Sequence, residues 1–327
     1  MDHDRLARWF ERFAELECPD LPLYHRLCLE AAHDVALLDQ VLTAAPGQWR
    51  PNLLLAALHD LVLQFPDEPL ARWYPTVGGD PTRSGDLMAD VHAMIAAHPE
   101  PFAEMLRGRS TQTNEVNRTA LYPPSLGALG HLLTGRDQRA SLIERGVAWV
   151  EIGASAGLNL AFDDYRIAYD GLDRTIGDGS STVRLRCEAR GDLDAMRDAV
   201  DFGTQLPIAS RIGLDIAPVD LDDAADRRWL KACIWPEQLV RHERFDAAAD
   251  HVAALRREGA IEIVRDVAVD GLFEVIEVAL DAAEANGFDD SVVVVINSWV
   301  MTYLPTERRA AVDAALDLIG GAQTLVH

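Results

Sequence analysis

The residues best suited to chemistry lie in the string VEIGASAGLNL, residues 150–160, where an apolar run meets a turn of small residues. In one interpretation the string is a nucleotide-binding turn: Gly153, Ser155 and Gly157 let the backbone approach a ligand, and Glu151 accepts hydrogen bonds from it. In the other, the same residues form a G-x-S-x-G nucleophile elbow with Ser155 as the attacking group. The rest of the chain must decide between them.

Polar residues end three later apolar runs, as the nucleotide interpretation requires. Asp215 ends RIGLD, where a carboxylate can bind a ribose hydroxyl pair, and Asp266 ends the next run, where it can lie beside a base. The fourth run, VVVVIN, opens onto the edge where doubly wound sheets bind ligands. It supplies candidate groups on the substrate side, namely Asn297, Ser298, Trp299 and Tyr303.

A nucleophile elbow makes demands that the sequence meets poorly. It needs strands before the serine, and an acid and then a histidine after it. Only helices are predicted upstream, His242 and His251 fall within a predicted helix, and His327 is the final residue. A serine hydrolase acting through Ser155 is therefore the third hypothesis, behind two that use the nucleotide turn.

Two unlike parts of the chain must position these groups. Residues 1–140 have apolar residues at helical spacing, and Pro and Gly divide them into about five or six helices without strands, which predicts a helical cap domain. Residues 141–327 alternate β-branched runs with amphipathic helices, which is typical of an α/β fold with an open, mostly parallel, doubly wound sheet.

The predicted elements of the second part follow from the same patterns. A helix is expected directly after the glycine turn, and an inserted β-hairpin at about 160–210. The predicted strands are 147–152, 211–215, 261–266, 292–297 and 323–326, and the later helices are 223–257, 270–286 and 305–319.

The series EIGASAG, GLDIAP, VRDVAVDGL and VVVVINSWVMTYL resembles the first four motifs of the class I S-adenosylmethionine-dependent methyltransferases. The resemblance implies a Rossmann-type fold and S-adenosylmethionine as cofactor. It implies cofactor-binding roles for Glu151, Gly153, Ser155 and Gly157, a ribose-binding role for Asp215 and an adenine-side role for Asp266. This chain departs from the pattern in having Ser155 at the middle glycine and 64 residues between Glu151 and Asp215. It also ends at the predicted fifth strand, before the final hairpin of such sheets, which is the pattern of a truncated or degenerate form.

The chain also resembles, over nearly its whole length, the bacterial domain-of-unknown-function family numbered 2332. The strings that carry this resemblance are RSTQTNEVNR, GASAGLNL, RIGLDIAPVDL and RWLKACIWPEQ. This resemblance implies the fold and no particular reaction.

The polar segment 109–118 is a candidate substrate clamp. A helix from about Thr113 would place Asn114 and Arg118 on one face, with Glu115 in reach of Arg118. Arg118 would suit a carboxylate or a phosphate. The alternative is a capped helix start with a surface ion pair.

Two further groups of residues have open interpretations. Trp229 and Trp235 fit two core anchors on a helix that ends or kinks at Pro236, although one ring could line an adenosine pocket. Asn297 and Tyr303 are candidate catalytic groups that orient an acceptor, with Trp299 as a substrate contact, yet Asn297 could equally cap a turn.

Composition excludes several classes of function. Lys and Arg total 30 against 53 Asp and Glu, a net charge of −23 that argues against nucleic-acid partners. No secretory signal and no apolar stretch of about 20 residues is present, which predicts a soluble, cytoplasmic protein without membrane partners. The histidines and the four cysteines lack ligand spacing, so no metal site is expected and the thiols should be reduced.

The sequence therefore predicts a methyltransferase that uses S-adenosylmethionine on a small or medium-sized acceptor. The alternative is a non-catalytic binding or regulatory protein that keeps the nucleotide fold. Methyl transfer is an in-line displacement that depends on positioning, so no acid/base dyad is required.

Overall fold

The computed structural model describes residues 2–113, 115–134, 139–267, 269–321 and 325–326. The chain forms two compact units, which we call unit 1 (Met1–Asn114 and Asp223–Phe245) and unit 2 (Glu115–Asp222 and Asp246–His327). The α-helices are α1 (His3–Glu17), α2 (Pro22–Ala31), α3 (Val35–Leu42), α4 (Pro51–Gln64), α5 (Leu87–Ala97), α6 (Pro99–Gly108), α7 (Tyr122–Thr134), α8 (Arg139–Arg145), α9 (Leu193–Gly203), α10 (Ala224–Ala232), α11 (Leu239–Arg257), α12 (Leu272–Ala285), α13 (Val300–Tyr303) and α14 (Thr306–Gly320). The strands are β1 (Val147–Ile152), β2 (Arg166–Asp170), β3 (Arg174–Ile176), β4 (Arg184–Glu188), β5 (Ile208–Asp215), β6 (Glu262–Arg265), β7 (Val292–Asn297) and β8 (Leu325–Val326).

Unit 1 is helical, and its core surrounds α4. Every residue of α4 from Leu53 to Val62 is buried, as expected for a helix that is apolar nearly all round and packs on several neighbours. The described residues up to 134 form seven α-helices, more than the five or six expected, and contain no strand. The predicted helical character of this region is confirmed, while the domain bounds 1–140 and 141–327 stay a prediction.

Helix α10 comes from the second half of the chain and completes unit 1. Trp229 of α10 lies in the unit 1 core at 3% exposure. Arg228 Nε donates to Asp60 Oδ1 at 3.1 Å, and His59 Nδ1 donates to the Ala232 carbonyl at 3.1 Å. Because burial lowers the pKa of His59 to about 3, its ring stays neutral.

The two tryptophans of this segment have a packing role. Trp229 is buried in the unit 1 core, and Trp235 packs against the same core at ring distances of 6.1 Å from Phe13 and 6.5 Å from Tyr24. The core-anchor interpretation is confirmed. The single helix predicted over 223–257 is wrong, since α10 ends at Ala232 and α11 begins only after Pro236, which cannot continue a helix.

Unit 2 is built on a five-stranded, all-parallel sheet with the order β6-β5-β1-β7-β8. The chain runs outward from β1 through β5 to β6, and then returns to the other side of β1 for β7 and β8. This is the order of a doubly wound, Rossmann-like sheet, so the predicted fold class is confirmed. Ligands of such sheets bind outside the carboxyl ends of the strands, where the winding direction reverses; here that point lies between β1 and β7.

The helix expected after β1 does not form. Gly153, Ser155 and Gly157 have φ values of 78°, 55° and 85°, and left-handed residues at alternate positions cannot continue a right-handed helix. Turns extend to Ala161 and a short 3-10 helix follows at Phe162–Asp164. The glycine loop therefore leads into turns without a helix N-terminus behind it.

The insertion before β5 is a small sheet of its own. Strands β2 and β3 form the predicted antiparallel hairpin, and β4 adds to the other edge of β2 in parallel orientation. Helix α9 follows and packs against α7 in unit 2. The hairpin prediction is confirmed, and the third strand and α9 extend it.

Helices α7 and α9 approach each other through glycines, which yields a stability prediction. A Cβ atom at Gly203 would lie 1.9 Å from the Pro123 carbonyl oxygen, so Gly203→Ala must separate the helices. We expect the free energy of unfolding to fall by about 3 kcal/mol in a urea titration. Gly108→Ala, at the open end of α6 with no atom within 4 Å, is the control and should change stability by less than about 0.5 kcal/mol. Equal effects of the two substitutions would contradict the packing account.

Within the described ranges, no helix has the length and apolar character needed to cross a membrane.

Candidate functional site

The site begins at the loop that follows β1. The Gly153 N–H donates to the Leu214 carbonyl of β5 at 2.7 Å, and a Cβ atom at Gly153 would lie only 2.8 Å from Val300 Cβ. With its φ of 78°, Gly153 is a position where a side chain is excluded by both strain and space. The ends of β1, β5 and β7 therefore meet at this glycine.

Asp215, at the end of β5, fixes the glycine loop. Its Oδ2 accepts from the Ser155 N–H at 2.8 Å and its Oδ1 accepts from the Ala217 N–H at 2.8 Å. Since a carboxylate has about four acceptor positions, each oxygen can take one further donor, such as a hydroxyl of a diol. Ser155, a non-glycine residue in the left-handed region, is thus held in place by the predicted ribose-binding acid.

Asp215 and Asp266 line one cavity of about 250 Å³, close to the lower end of the range for ligand pockets. Its walls also include Gly153, Ile216, Val267, Val300, Leu304 and Arg308. Ile216 is 69% exposed, which is unusual for an isoleucine and leaves an apolar surface beside the two carboxylates. The cavity therefore combines two carboxylates and one guanidinium group with apolar walls.

Glu151 lies on the face of β1 that is turned away from the core formed with α12 and α14. Side chains alternate along a strand, and its neighbours Val150 and Ile152 belong to the core on the α12 and α14 side. Glu151 is fully buried; its Oε1 accepts from Asn159 Nδ2 at 2.8 Å and from Ser298 Oγ at 3.4 Å. Its Oε2 has no hydrogen-bond partner, and burial raises the pKa of Glu151 to about 7.

Arg118 lies beside this buried carboxyl group. It belongs to the 3-10 helix Val116–Leu121, and its Nη1 donates to the Ser298 carbonyl at 3.4 Å. Its positive charge opposes the effect of burial on the pKa of Glu151. The described ion pairs nevertheless include none between Arg118 and Glu151.

The predicted clamp segment differs in detail from expectation. The helix expected from about Thr113 is a 3-10 helix that begins at Val116, because Glu115 caps it by accepting the Asn117 N–H at 3.0 Å. Glu115 thus has a local structural contact, while Arg118 reaches the strand ends. Asn114 lies outside the described residues.

The loop after β7 adds the remaining predicted residues. Asn297 is exposed at the strand end, level with Ile152 of β1. Trp299 is 57% exposed and has a φ of 77°, a left-handed conformation that is strained for a bulky residue. Tyr303 ends α13, and its side chain lies outside the described part of the structure. The loop therefore presents an amide and an indole at the switch point.

A family model described as "Uncharacterized protein conserved in bacteria (DUF2332)" matches residues 7–327. The chain belongs to the DUF2332 family. No curated protein and no solved structure matches it. The family resemblance seen in the sequence is confirmed, and the family description supplies no reaction.

The predicted site residues of this family member fall into two groups. Gly153, Asp215 and Asp266 line the cavity, with Ser155 bound to Asp215. Glu151 and Arg118 form the second group and both contact Ser298. Gly157 packs near Ile263, where a Cβ atom would lie 3.2 Å from the Ile263 side chain, so its contact is structural.

Sequence reasoning missed three contributors to the site. Asn159 lies in the quoted string GLNL, one turn beyond the glycine loop, and its amide could have been recognised as a partner for Glu151. Ile216 directly follows Asp215, so an exposed apolar residue there was predictable from its position. Arg308 of α14 also lines the cavity, but no sequence motif marks it, because only the fold brings it there.

Ser155 lacks the surroundings of a nucleophile elbow. An elbow places the serine between a strand and a helix, whereas turns follow Ser155 in this structure. His251, the downstream histidine of unit 2 among the described residues, bonds Asp164 Oδ2 at 2.9 Å. The described residues also contain no group of three or more His, Cys, Asp or Glu side chains able to hold a metal ion.

The four cysteines are free thiols, as predicted. Cys18 and Cys28 are buried, Cys187 and Cys233 are half-buried, and burial raises the pKa of each thiol. Raised pKa values leave little thiolate at neutral pH, so none of them has the character of a nucleophile.

Proposed function

We propose that the chain binds S-adenosylmethionine and transfers its methyl group to a small or medium-sized acceptor. The observation that carries the proposal is the shared cavity of Asp215 and Asp266, at the ends of the second and third sheet strands and next to Gly153. A nucleoside presents a diol and a base to these positions: Asp215 would accept from the ribose hydroxyls, and Asp266 would lie beside the adenine. The exposed side chain of Ile216 offers the base an apolar surface.

The glycine loop favours a nucleoside without phosphate groups. Rossmann dinucleotide sites bind the pyrophosphate at the N-terminus of the helix that follows the glycine turn. Here turns and left-handed residues replace that helix, so the backbone N–H groups of a helix end are missing from this position among the described residues. S-adenosylmethionine carries no phosphate and does not need them.

The residues present fit this cofactor. Asp215 keeps acceptor positions for the ribose diol, and the buried Oε2 of Glu151 has an open acceptor position. When bound, S-adenosylmethionine supplies an electrophilic methyl group on a sulfonium centre. The protein then has to orient the acceptor and exclude water. Asn297, Trp299 and Tyr303, on the loop after β7, are the proposed acceptor-side residues.

The test is a calorimetric titration of S-adenosylmethionine and S-adenosylhomocysteine into the wild type and Asp215→Ala. We expect saturable binding to the wild type and a loss of about 10- to 100-fold in affinity for the variant, because charge-assisted hydrogen bonds to the diol are removed. Asp220→Ala is the matched control. It removes the same charge five residues further on, where the described contact is a local bond to the Asp222 N–H.

Asp215→Asn separates ligand contact from loop support. The amide keeps one oxygen for the Ser155 N–H but loses charge, so it should fold as the wild type does and still bind more weakly. Absence of binding to well-folded wild-type protein at millimolar ligand would contradict the proposal. Binding without methyl transfer to any acceptor is the result expected of the alternative, a non-catalytic binding protein.

A further inference from the structure

Helix α1 carries an exposed face on which three arginines have no partner among the described residues. Arg5, Arg8 and Arg12 follow one another at the spacing i, i+3, i+7, so they lie on one side of the helix. The described contacts include no ion pair and no side-chain hydrogen bond of these three groups. Trp9, at 37% exposure, and the exposed Leu16 lie beside them, and we call these five residues the basic face. A surface cavity of about 710 Å³ follows this side of α1, and the described residues that line it all belong to α1.

The basic face is unusual in a chain with a net charge of −23. Three guanidinium groups that share one side of a helix repel one another, and a carboxylate beside each of them would stabilise it. Within the described part of the chain, no carboxylate pairs with any of them. An acidic partner therefore fits this face better than a neutral or basic one.

Helix α12 of unit 2 carries an exposed face of the complementary charge. Glu274, Glu277 and Asp281 are exposed and repeat the same spacing, i, i+3, i+7. The ion pairs and side-chain hydrogen bonds of the described ranges include none of these three groups. Phe273, at 45% exposure, and the half-buried Leu280 lie beside them, and we call these five residues the acidic face. The chain itself therefore contains an acidic surface with the spacing of the basic face.

The equal spacing allows three charge pairs to form at once between the two faces. Helices that run parallel with these residues in register bring each arginine opposite one carboxylate, namely Arg5 opposite Glu274, Arg8 opposite Glu277 and Arg12 opposite Asp281. One pair of exposed charges contributes little, but several pairs in one contact determine its specificity and orientation.

The apolar residues of the two faces also meet in this parallel arrangement. Successive residues of an α-helix are turned by about 100°, which places Trp9 and Leu16 on one flank of the arginines. The same rotation places Phe273 and Leu280 on the opposite flank of the acids. Such flanks face each other when two parallel helices pack, as the e and g positions do in a parallel coiled coil. An aromatic pair and a leucine pair thus border the charges.

We propose that the basic face of α1 binds the acidic face of α12 on a second copy of this chain. Because the two faces differ, the contact is heterologous, and each chain offers one face of each kind. No residue of either face lines the cavity of Asp215 and Asp266, so the inference is independent of the proposed methyl transfer. Exposed ion pairs are individually weak, so we expect a reversible association with a dissociation constant of about 10–100 µM.

Sedimentation equilibrium at about 0.1 M salt tests this contact by charge reversal, since that salt screens the repulsion between the two net charges beyond about 10 Å. We expect the weight-average mass of the wild type to rise above the 36.0 kDa of one chain as its concentration increases from about 10 to about 300 µM. The double variants Arg8→Glu/Arg12→Glu and Glu277→Arg/Asp281→Arg should each weaken association at least about tenfold. An equimolar mixture of these two variants should associate again, because each reversed face then meets a face of opposite charge.

Two matched double variants change the net charge by the same amounts at exposed positions outside both faces. They are Arg107→Glu/Arg184→Glu and Glu258→Arg/Glu307→Arg, and both should associate as the wild type does. All the reversed side chains are exposed, so urea titrations should give every variant the stability of the wild type.

Three results overturn the inference. The first is a wild type that keeps the mass of one chain up to about 300 µM. The second is a reversal variant that associates as tightly as the wild type, and the third is a mixture of the two reversal variants that stays monomeric. Glu15→Arg should strengthen association, because Glu15 meets Glu284 in the parallel arrangement. Weaker association of Glu15→Arg would also contradict the proposed pairing.

Discussion

Replacing Glu151 by glutamine is expected to raise the free energy of unfolding by up to about 3 kcal/mol at about pH 8.5, and by less than about 0.5 kcal/mol at about pH 4.5. The pKa of Glu151 is about 7 in the folded protein, against an ordinary 4.5, because the group is buried. The folded state therefore binds the proton more tightly than the unfolded state. Protonation of Glu151 therefore stabilises the folded state fully below about pH 4.5, and this stabilisation is lost as the pH rises through about 7.

Urea titrations of the wild type and Glu151→Gln at the two pH values measure this difference. Every other group titrates in both proteins, so the difference between them isolates Glu151. Glu307→Gln, an exposed change on α14, is the control and should show no pH-dependent difference. A Glu151→Gln variant that is less stable than the wild type at the higher pH would show that an anionic Glu151 stabilises the fold.

Gly153→Ala is expected to lower the free energy of unfolding by about 2–4 kcal/mol and to abolish detectable binding of S-adenosylhomocysteine. The left-handed backbone alone costs a residue with a Cβ atom about 1–2 kcal/mol. The added atom also lies 2.8 Å from Val300 Cβ, so the loops after β1 and β7 must separate. Both walls of the proposed cavity move in that case.

Gly191→Ala provides the matched control, because Gly191 also has a positive φ, of 93°, but has no atom within 4 Å of the added Cβ. It should lose only the backbone contribution and leave ligand binding unchanged. Adding Val300→Ala to Gly153→Ala should restore part of the stability, as contacting residues are coupled. Independent effects of the two substitutions would exclude the steric account.

The sheet could be predicted from the sequence because its central strands are apolar on both faces. VAWVEI and VVVVIN became β1 and β7 with the predicted bounds, since buried parallel strands are continuous apolar runs. The strand β5 begins three residues before the predicted 211, where Ile208, Ala209 and Ser210 offered no β-branched run. Strand ends were therefore less predictable than strand centres.

The helix predicted after the glycine turn failed for a local reason. The composition of GASAGLNL fits a helix start, yet Ser155 adopts a φ of 55° because its N–H is held by Asp215, 60 residues away. No window of sequence contains that contact. The same holds for Glu151: its motif marked it as functional, but its full burial with an unpartnered Oε2 depends on packing.

That α10 belongs to unit 1 could likewise not be predicted from the local sequence. His59 and Ala232 are separated by 173 residues, and Asp60 and Arg228 by 168. The sequence predicted Trp229 and Trp235 as core residues from their spacing of six before Pro236. The core that they enter depends on polar contacts between distant residues, which cannot be predicted from the spacing of apolar residues.

The discontinuity of unit 1 sets an order of events during synthesis. Its segments end at residues 114 and 245, so the ribosome has made β1 to β5 before Trp229 is available to fill the helical core. Until then, the buried positions around His59 and Asp60 on the nascent chain have no partner from α10. The helical unit is therefore an aggregation-sensitive intermediate that matures only after most of the chain has been translated. A gene fragment ending at codon 140 encodes that immature state.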